Sequence, residues 1–305
     1  MLFYIILLKR ENSLGRKIYF TIPEKYDGEK VKTYLRQEKH VSARLLHTLK
    51  EMPTGILCNN HPIRAIDTIH TNDCLSIELP EETPEQSAKP LDIPLSILYE
   101  DEDILVINKP GNIAMHETHN HQGDALSNAV ASYLQKQGKS AAFRSVGRLD
   151  KGTSGVVVCA LHAYAASILS GQIQKEYLAV VPAKLEGSST INRCIYRPDP
   201  NKTLRAVGET GETAITHWTA LHTTPEGNTL LRIQLETGRT HQIRVHFSSL
   251  GLSLLGDDMY GAPKDSRIHR QALHCAVCRL SHPISGKPMT FYAPIPQDFS
   301  SLLWE

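Results

Sequence analysis

Residues 145–158 read SVGRLDKGTSGVVV: one carboxylate, Asp150, sits between the cations Arg148 and Lys151, and the turn ends in Thr-Ser-Gly before a run of valines. A neighbouring cation favours the ionised form of a carboxylate. A carboxylate held on a tight turn in front of a buried strand is what a reactive loop looks like. A merely solvated loop would scatter its charges and need no buried strand behind it. Three further segments place polar residues where elements end, the usual location of sites. They are NKPGNIAMH (residues 108–116), KEYLAVV (residues 175–181) and LETGRTHQIRVH (residues 235–246).

Each segment also has an ordinary reading. Arg-Leu-Asp in a loop makes a surface salt bridge, a tyrosine such as Tyr177 in a strand is packing, and Arg239 and Arg244 on a helix's first turns are solvated. His116, His119 and His121, with Asp124, resemble a metal cluster of the kind a hydrolase uses. A polar loop without paired carboxylates is the better reading of that stretch.

Periodicity supplies the elements that would position these residues. ILVIN (residues 104–108) is a buried-type strand, ALSNAVASYLQKQG a helix with Asp124 as N-cap and Gly138 beyond its end, and VVVCA (residues 156–160) another strand. KEYLAVV is a third strand, and residues 229–237 form a fourth after the Pro225-Glu226-Gly227-Asn228 turn. THQIRVHFSSLG runs helically, with Ile243, Phe247 and Leu250 on one face and Gly251 as a stop. Nearer the N-terminus, Val31, Tyr34 and Leu35 mark one helix. Ser42 caps a second that carries Leu45, Leu46, Leu49 and Met52. A hairpin turns at Asn59-Asn60, and a strand alternates Leu75, Ile77 and Leu79 with polar residues. Residues 1–87 thus form a compact module. Residues 80–90, PEETPEQSAKP, read as a linker, and residues 88–305 as the second domain.

Composition narrows the class. The chain has 305 residues, 41% of them hydrophobic, which suits about two ordinary cores. A net charge of +1 does not advertise nucleic acid, but the charge is polarised locally. Residues 1–50 hold eleven Lys and Arg against five Asp and Glu, and residues 51–87 hold one against seven. Such a split is a solvated face or a basic face for phosphates. Cys275 and Cys278 are the one close cysteine pair, with no second C-x-x-C to complete a zinc site, so the chain reads as cytoplasmic and reduced. The opening MLFYIILLK is too short to span a bilayer and has no basic segment before it; an opening strand, or a start codon placed slightly too early, explains it more simply than export.

In order along the chain, KP-G followed by His116, RLDKGTSG, KEYLAVV, GRTHQIRVH, LGDDMYG and the tail LHCAVCRLSHP…FYAPIP resemble the RluA-type pseudouridine synthases. The resemblance covers residues 90–296, and the first module is similar to the S4-like RNA-binding domain. It implies an α+β fold: a mixed, mainly antiparallel sheet with flanking helices and a central cleft, plus a small S4-like module. The implied activity is isomerisation of uridine in RNA to pseudouridine, without cofactor or metal. The N1–C1′ bond breaks, the uracil rotates, and C5 bonds to C1′. Large-subunit ribosomal RNA is the family's commonest substrate and transfer RNA the alternative.

The resemblance assigns Asp150 as the catalytic aspartate, Arg244 as its ion-pairing arginine and Tyr177 as the active-site tyrosine. Ile243 would wall the pocket, and Arg148 would enter the gap left by the flipped uridine. Arg239, His116 and Lys109 are expected to contact RNA. The partner is RNA, with no membrane, and the protein a monomer. The family has His before Arg-Leu-Asp where this chain has Gly147. The rival to catalysis is an RNA-binding protein that keeps the fold and has lost the reaction.

Overall fold

The computed structural model describes residues 15–80, 88–117, 124–139, 142–263 and 265–303. The expected opening strand, the cations Lys9 and Arg10, most of the linker, and His119 and His121 lie outside these residues. The chain divides into two compact units, Met1–Glu82 and Thr83–Glu305.

The first unit packs two short helices on a sheet. Strand β1 (Lys17–Thr21) is followed by α1 (Val31–Thr33), which widens into a π-type turn over Tyr34–Glu38, and by α2 (Ala43–Glu51). Strands β2 (Ile56–Cys58), β3 (His61–Pro62) and β4 (Cys74–Glu78) complete an antiparallel sheet in the order β1-β4-β2-β3. Ser42 caps α2 as its sequence suggests, its side chain accepting the Leu45 amide at 3.1 Å. Val31, Tyr34, Leu35, Leu45 and Leu49 are buried and close the core, while Leu46 and Met52 of the expected face are only half-buried.

The second unit is built on β5 (Ser96–Glu100), β6 (Ile104–Lys109), α3 (Leu126–Lys136), β7 (Arg144–Val146), β8 (Ser154–Ala160) and α4 (Ala163–Leu169). It continues with β9 (Gln174–Val181), β10 (Ser188–Asn192), β11 (Cys194–Tyr196), β12 (Ala206–Gly208), β13 (Ile215–Thr223) and β14 (Thr229–Leu235). It closes with α5 (Gln242–Ser248), β15 (Leu273–Ser281), β16 (Pro288–Tyr292) and α6 (Gln297–Ser300). The main sheet runs β10-β13-β14-β9-β15-β8-β6-β5, with β16 beside β15 and β7 beside β8. Its pairings among the described residues are antiparallel except one: β15 meets β8 in parallel at His274 and Cys275 opposite Ser154 and Gly155. Beyond that short contact the two strands part, β15 taking β16 as neighbour and β8 taking β7. The Asp150 turn enters the sheet at this fork.

Several boundaries differ from the pattern, among them the strand expected over residues 229–237, which ends at Leu235. Helix α3 is capped at Ala125, not Asp124, because the Asn128 side chain reaches back to accept the Ala125 amide at 3.1 Å. Helix α5 begins only at Gln242, which leaves Arg239 in the preceding loop and exposed Leu250 beyond the last turn.

Gly155 is the residue that permits the fork. Its φ is +113°, and a Cβ there would collide with the Cys275 backbone. Gly155→Ala is therefore expected to cost about 3 kcal/mol through left-handed strain and overpacking together. A thermal melt with an unchanged midpoint would show that β8 and β15 do not need this approach.

Candidate active site

A buried guanidinium organises the site. Arg244, only 5% exposed, donates from Nε and Nη2 to the two carboxylate oxygens of Asp257 at 2.7 and 2.8 Å. Its remaining edge donates from Nη1 to Asp150 Oδ2 at 3.0 Å. Burial opposes the charge, but the hydrogen bonds to Asp257 and the charges of both aspartates outweigh it and raise the Arg244 pKa. Only a planar fork can grip one carboxylate along one edge and aim a further N–H at another. The Tyr260 ring lies under it, 5.1 Å from the guanidinium carbon.

Helix α5 is rigid where it presents Arg244. Gln242 accepts from the Arg239 amide and the Thr237 hydroxyl, and donates to the Ile215 carbonyl and Thr216 Oγ1. One turn on, His246 Nδ1 bonds Thr216 Oγ1 at 2.9 Å and Nε2 bonds the Arg193 carbonyl at 3.0 Å. Gln242 and His246 thus fasten the helix to β13, which fixes where Arg244 points.

The Asp150 turn is held from behind. Lys109 Nζ donates to the carbonyls of Pro110, Ile113 and Lys151 at 2.9, 2.9 and 3.1 Å. Arg270 donates to the Gly152 carbonyl at 2.8 Å while its other edge pairs with Asp298. Gln271 reaches Thr153, and His274 Nδ1 bonds the Ser154 hydroxyl at 2.9 Å. The glycines of the two motifs make room for these anchors: a Cβ on Gly111 would strike Arg270, and one on Gly152 would strike Gln271.

Lys109 therefore requires a correction. Expected to contact RNA, it is fully buried and joins two loops through backbone carbonyls. Burial and the charge of Arg270 push its pKa down to about 7, Asp150 acting the other way.

Six of the other expected residues, Asp150, Tyr177, Ile243, Arg244, Arg148 and Arg239, line a cleft of about 380 Å³, and His116 is not part of that lining. Tyr177 and Ile243 are 7% and 4% exposed and form apolar wall. Burial drives the Tyr177 pKa well up, so its hydroxyl stays protonated. Arg148 is exposed at the rim. Arg239 is paired with Glu212 at 2.8 Å and with the Thr213 carbonyl. His116 leaves much of its surface in solvent but packs its ring edge-on against Phe143; that partial desolvation and the charge of Arg148 lower its pKa. Gly147 has φ +72°, with Lys175 Nζ 3.3 Å from where a Cβ would stand, so a side chain there meets both strain and a cation.

Sequence reasoning passed over Asp257, Tyr260, His241 and Arg270. The first two sit in LGDDMYG, an acidic doublet in a glycine-bounded turn, which is the signal that could have marked them. His241 precedes α5 in the left-handed conformation, φ 59° and ψ 18°, with Nε2 4.0 Å from Asp150 Oδ2.

The chain is similar to known proteins in sequence and in fold. The family model "RNA pseudouridylate synthase" matches residues 103–249. The chain is 36% identical over 274 residues to "Uncharacterized RNA pseudouridine synthase YjbO" of Bacillus subtilis, covering 87% of this chain and 95% of that one. It is 32% identical over 314 residues to "Ribosomal large subunit pseudouridine synthase D" of Escherichia coli O157:H7, covering 96% and 91%. The chain belongs to the RluA-type RNA pseudouridine synthases. Among solved structures, "Human RNA Pseudouridylate Synthase Domain Containing 1" superposes with a TM-score of 0.55 at 27% identity, covering 67% of this chain and 84% of that chain. The synthase is thus an isomerase that acts on RNA, and the mainly antiparallel fold with helices is that of its family.

Among the described residues of the synthase, one group has metal-ligand character: Asp101, Asp103 and His282. His282 Nδ1 accepts the Ile284 and Ser285 amides, so Nε2 carries the proton and donates to Asp101 at 2.8 Å. His162 repeats the pattern, Nδ1 accepting the Ala165 amide and Nε2 bonding Asp103 at 2.9 Å. These groups satisfy one another and tie the β5–β6 turn to the segments that follow β8 and β15.

Burial lowers the His274 pKa to about 4 against an ordinary 6.5, with Arg270 adding and the bond to the Ala293 carbonyl opposing. As the pH falls, the unfolded chain takes up this proton first. The stability is present above pH 6.5 and drains away toward pH 4, by up to about 3 kcal/mol. His274→Asn should flatten the melting temperature over that window; parallel curves for both proteins would contradict the assignment.

Proposed function

We propose that this synthase isomerises uridines of large-subunit ribosomal RNA, with Asp150 as the group that acts at C1′. The observation that carries the reading is the Arg244 fork, closed on Asp257 by one edge and aimed at Asp150 at 3.0 Å beside buried Tyr177. The printed name of the Escherichia coli relative supports the ribosomal substrate.

The target uridine is stacked in RNA and flips out at a cost of a few kcal/mol, with Arg148 at the rim filling the gap. Asp150 attacks C1′ and the N1–C1′ bond electrons leave with the uracil. Arg244 orients the carboxylate through its Nη1 bond to Asp150 Oδ2. The freed uracil turns against Tyr177 and Ile243, which exclude water and supply a flat surface. C5 then bonds to C1′, the carboxylate departs, N1 regains a proton and C5 loses one. Protein groups alone suffice for these steps. Asp150→Asn should abolish tritium release from RNA labelled at uridine C5 while leaving RNA affinity within about twofold. Retained turnover would remove Asp150 from the mechanism.

The first unit reads as an S4-like RNA-binding module. Lys32, Arg36, His47 and Lys50 line a groove between its helices. We place the protein in the cytoplasm as a monomer, without membrane association. Its free cysteines Cys159, Cys275 and Cys278, buried as thiols, suit a reducing compartment. Among the described residues no helix is long and apolar enough to cross a membrane. Replacing Lys32, Arg36 and Lys50 by glutamine in the full chain should lower the slope of log affinity against log salt by about 0.7–0.9 for each phosphate no longer neutralised. An unchanged slope would mean that this groove does not hold RNA.

A further inference from the structure

His241 occupies a position for which the reading above has no role. Its side chain is 10% exposed, it lines the same cleft as Asp150, and Nε2 stands 4.0 Å from Asp150 Oδ2, beyond hydrogen-bond reach. Its backbone is left-handed at φ 59°, an unusual conformation for a residue with a Cβ and one that concentrates at functional sites.

Hydrogen bonding decides which face of the ring is a donor. The Tyr260 hydroxyl accepts from the Arg205 amide at 3.1 Å and lies 3.0 Å from His241 Nδ1. Among the described residues no other acceptor is bonded to the Tyr260 hydroxyl; with that hydroxyl donating to Nδ1, the ring proton is assigned to Nε2. The imidazole therefore turns an N–H toward the space above Asp150. Tyr260 also underlies Arg244, so one aromatic ring orients both the carboxylate's partner and this donor. Burial lowers the His241 pKa, Asp150 opposing and Arg244 adding, which keeps the ring a neutral donor near pH 7.

We infer that His241 is a further active-site residue that donates a hydrogen bond from Nε2 to an oxygen flanking C1′ of the bound uridine, either the 2′-hydroxyl or the uracil O2. The inference rests on the assignment of Asp150 to C1′, since a donor beside the attacking carboxylate faces the substituents of the attacked carbon. A donor in this place would strengthen as charge develops during bond cleavage.

The test uses the full-length protein and RNA from cells lacking it, labelled at uridine C5. His241→Ala should lower the single-turnover rate by about 10- to 100-fold with RNA affinity within about twofold. His241→Asn, which keeps an N–H donor and tolerates left-handed backbone, should recover part of the loss. Imidazole ¹⁵N shifts should report the proton on Nε2, and Tyr260→Phe should shift that balance toward Nδ1. An oligonucleotide with 2′-deoxyuridine at the mapped site separates the two oxygens: with the 2′-hydroxyl as acceptor, losing His241 adds nothing to losing the hydroxyl. A wild-type rate in His241→Ala, a loss confined to RNA affinity, or a proton on Nδ1 overturns the inference. Turnover retained by Asp150→Asn would instead remove the Asp150 assignment, and it is read independently of the His241 variants.

Discussion

A guanidinium withdrawn from water has to be satisfied along every edge, and that requirement on Arg244 organises the second unit. Leaving such a charge unpaired costs several kcal/mol. Two carboxylates from distant parts of the chain are brought to it, Asp257 from the turn after α5 and Asp150 from the turn before β8. Asp257 engages two of the three guanidinium nitrogens, and the third, Nη1, donates to Asp150. Structure and chemistry share this interaction: the pairing that makes burial of Arg244 tolerable also orients the carboxylate that faces the cleft.

The rest of the sheet serves to bring these groups together without slack. The fork at β15 needs a strand without a Cβ at Gly155, and the turn behind Asp150 needs Lys109 and Arg270 to collect its carbonyls. Those two cations are anchors. They lie behind the turn, fully engaged with backbone or with Asp298, while Arg148 and Arg239 are on the cleft side. Cations near one aspartate thus divide into a buried set that fixes the loop and a cleft-side set, the exposed Arg148 and the Glu212-paired Arg239.

Much of this was legible in the sequence, for physical reasons. Strand β8 is buried from end to end and read as an apolar run, and α2 announced itself through Ser42 and its leucine face. The fold class, the family and the convergence of Asp150, Tyr177, Ile243 and Arg244 followed from motifs in which the residues stand next to their own turn or helix signals. Lys109 did not. A lysine at a strand end looks exposed unless the carbonyls that receive it, from two separate loops, are known. Asp257 was hidden because its bond to Arg244 spans thirteen residues and no periodicity encodes it. His241 was hidden because a left-handed residue before a helix has no signature when it is not glycine. Helix α3 began one residue late because Asn128, inside the helix, supplied the cap that Asp124 was expected to provide.

The central claim is that Asp257 acts on the reaction solely by holding Arg244. A double-mutant cycle in single-turnover pseudouridine formation tests it, using Asp257→Asn, Arg244→Lys and the pair. Each single change should slow the step by about 10- to 100-fold, and the double variant should be no slower than Arg244→Lys alone, since a lysine has no second edge for Asp257 to fix. Losses that multiply would contradict the account, because they would give Asp257 a contribution that does not pass through the guanidinium.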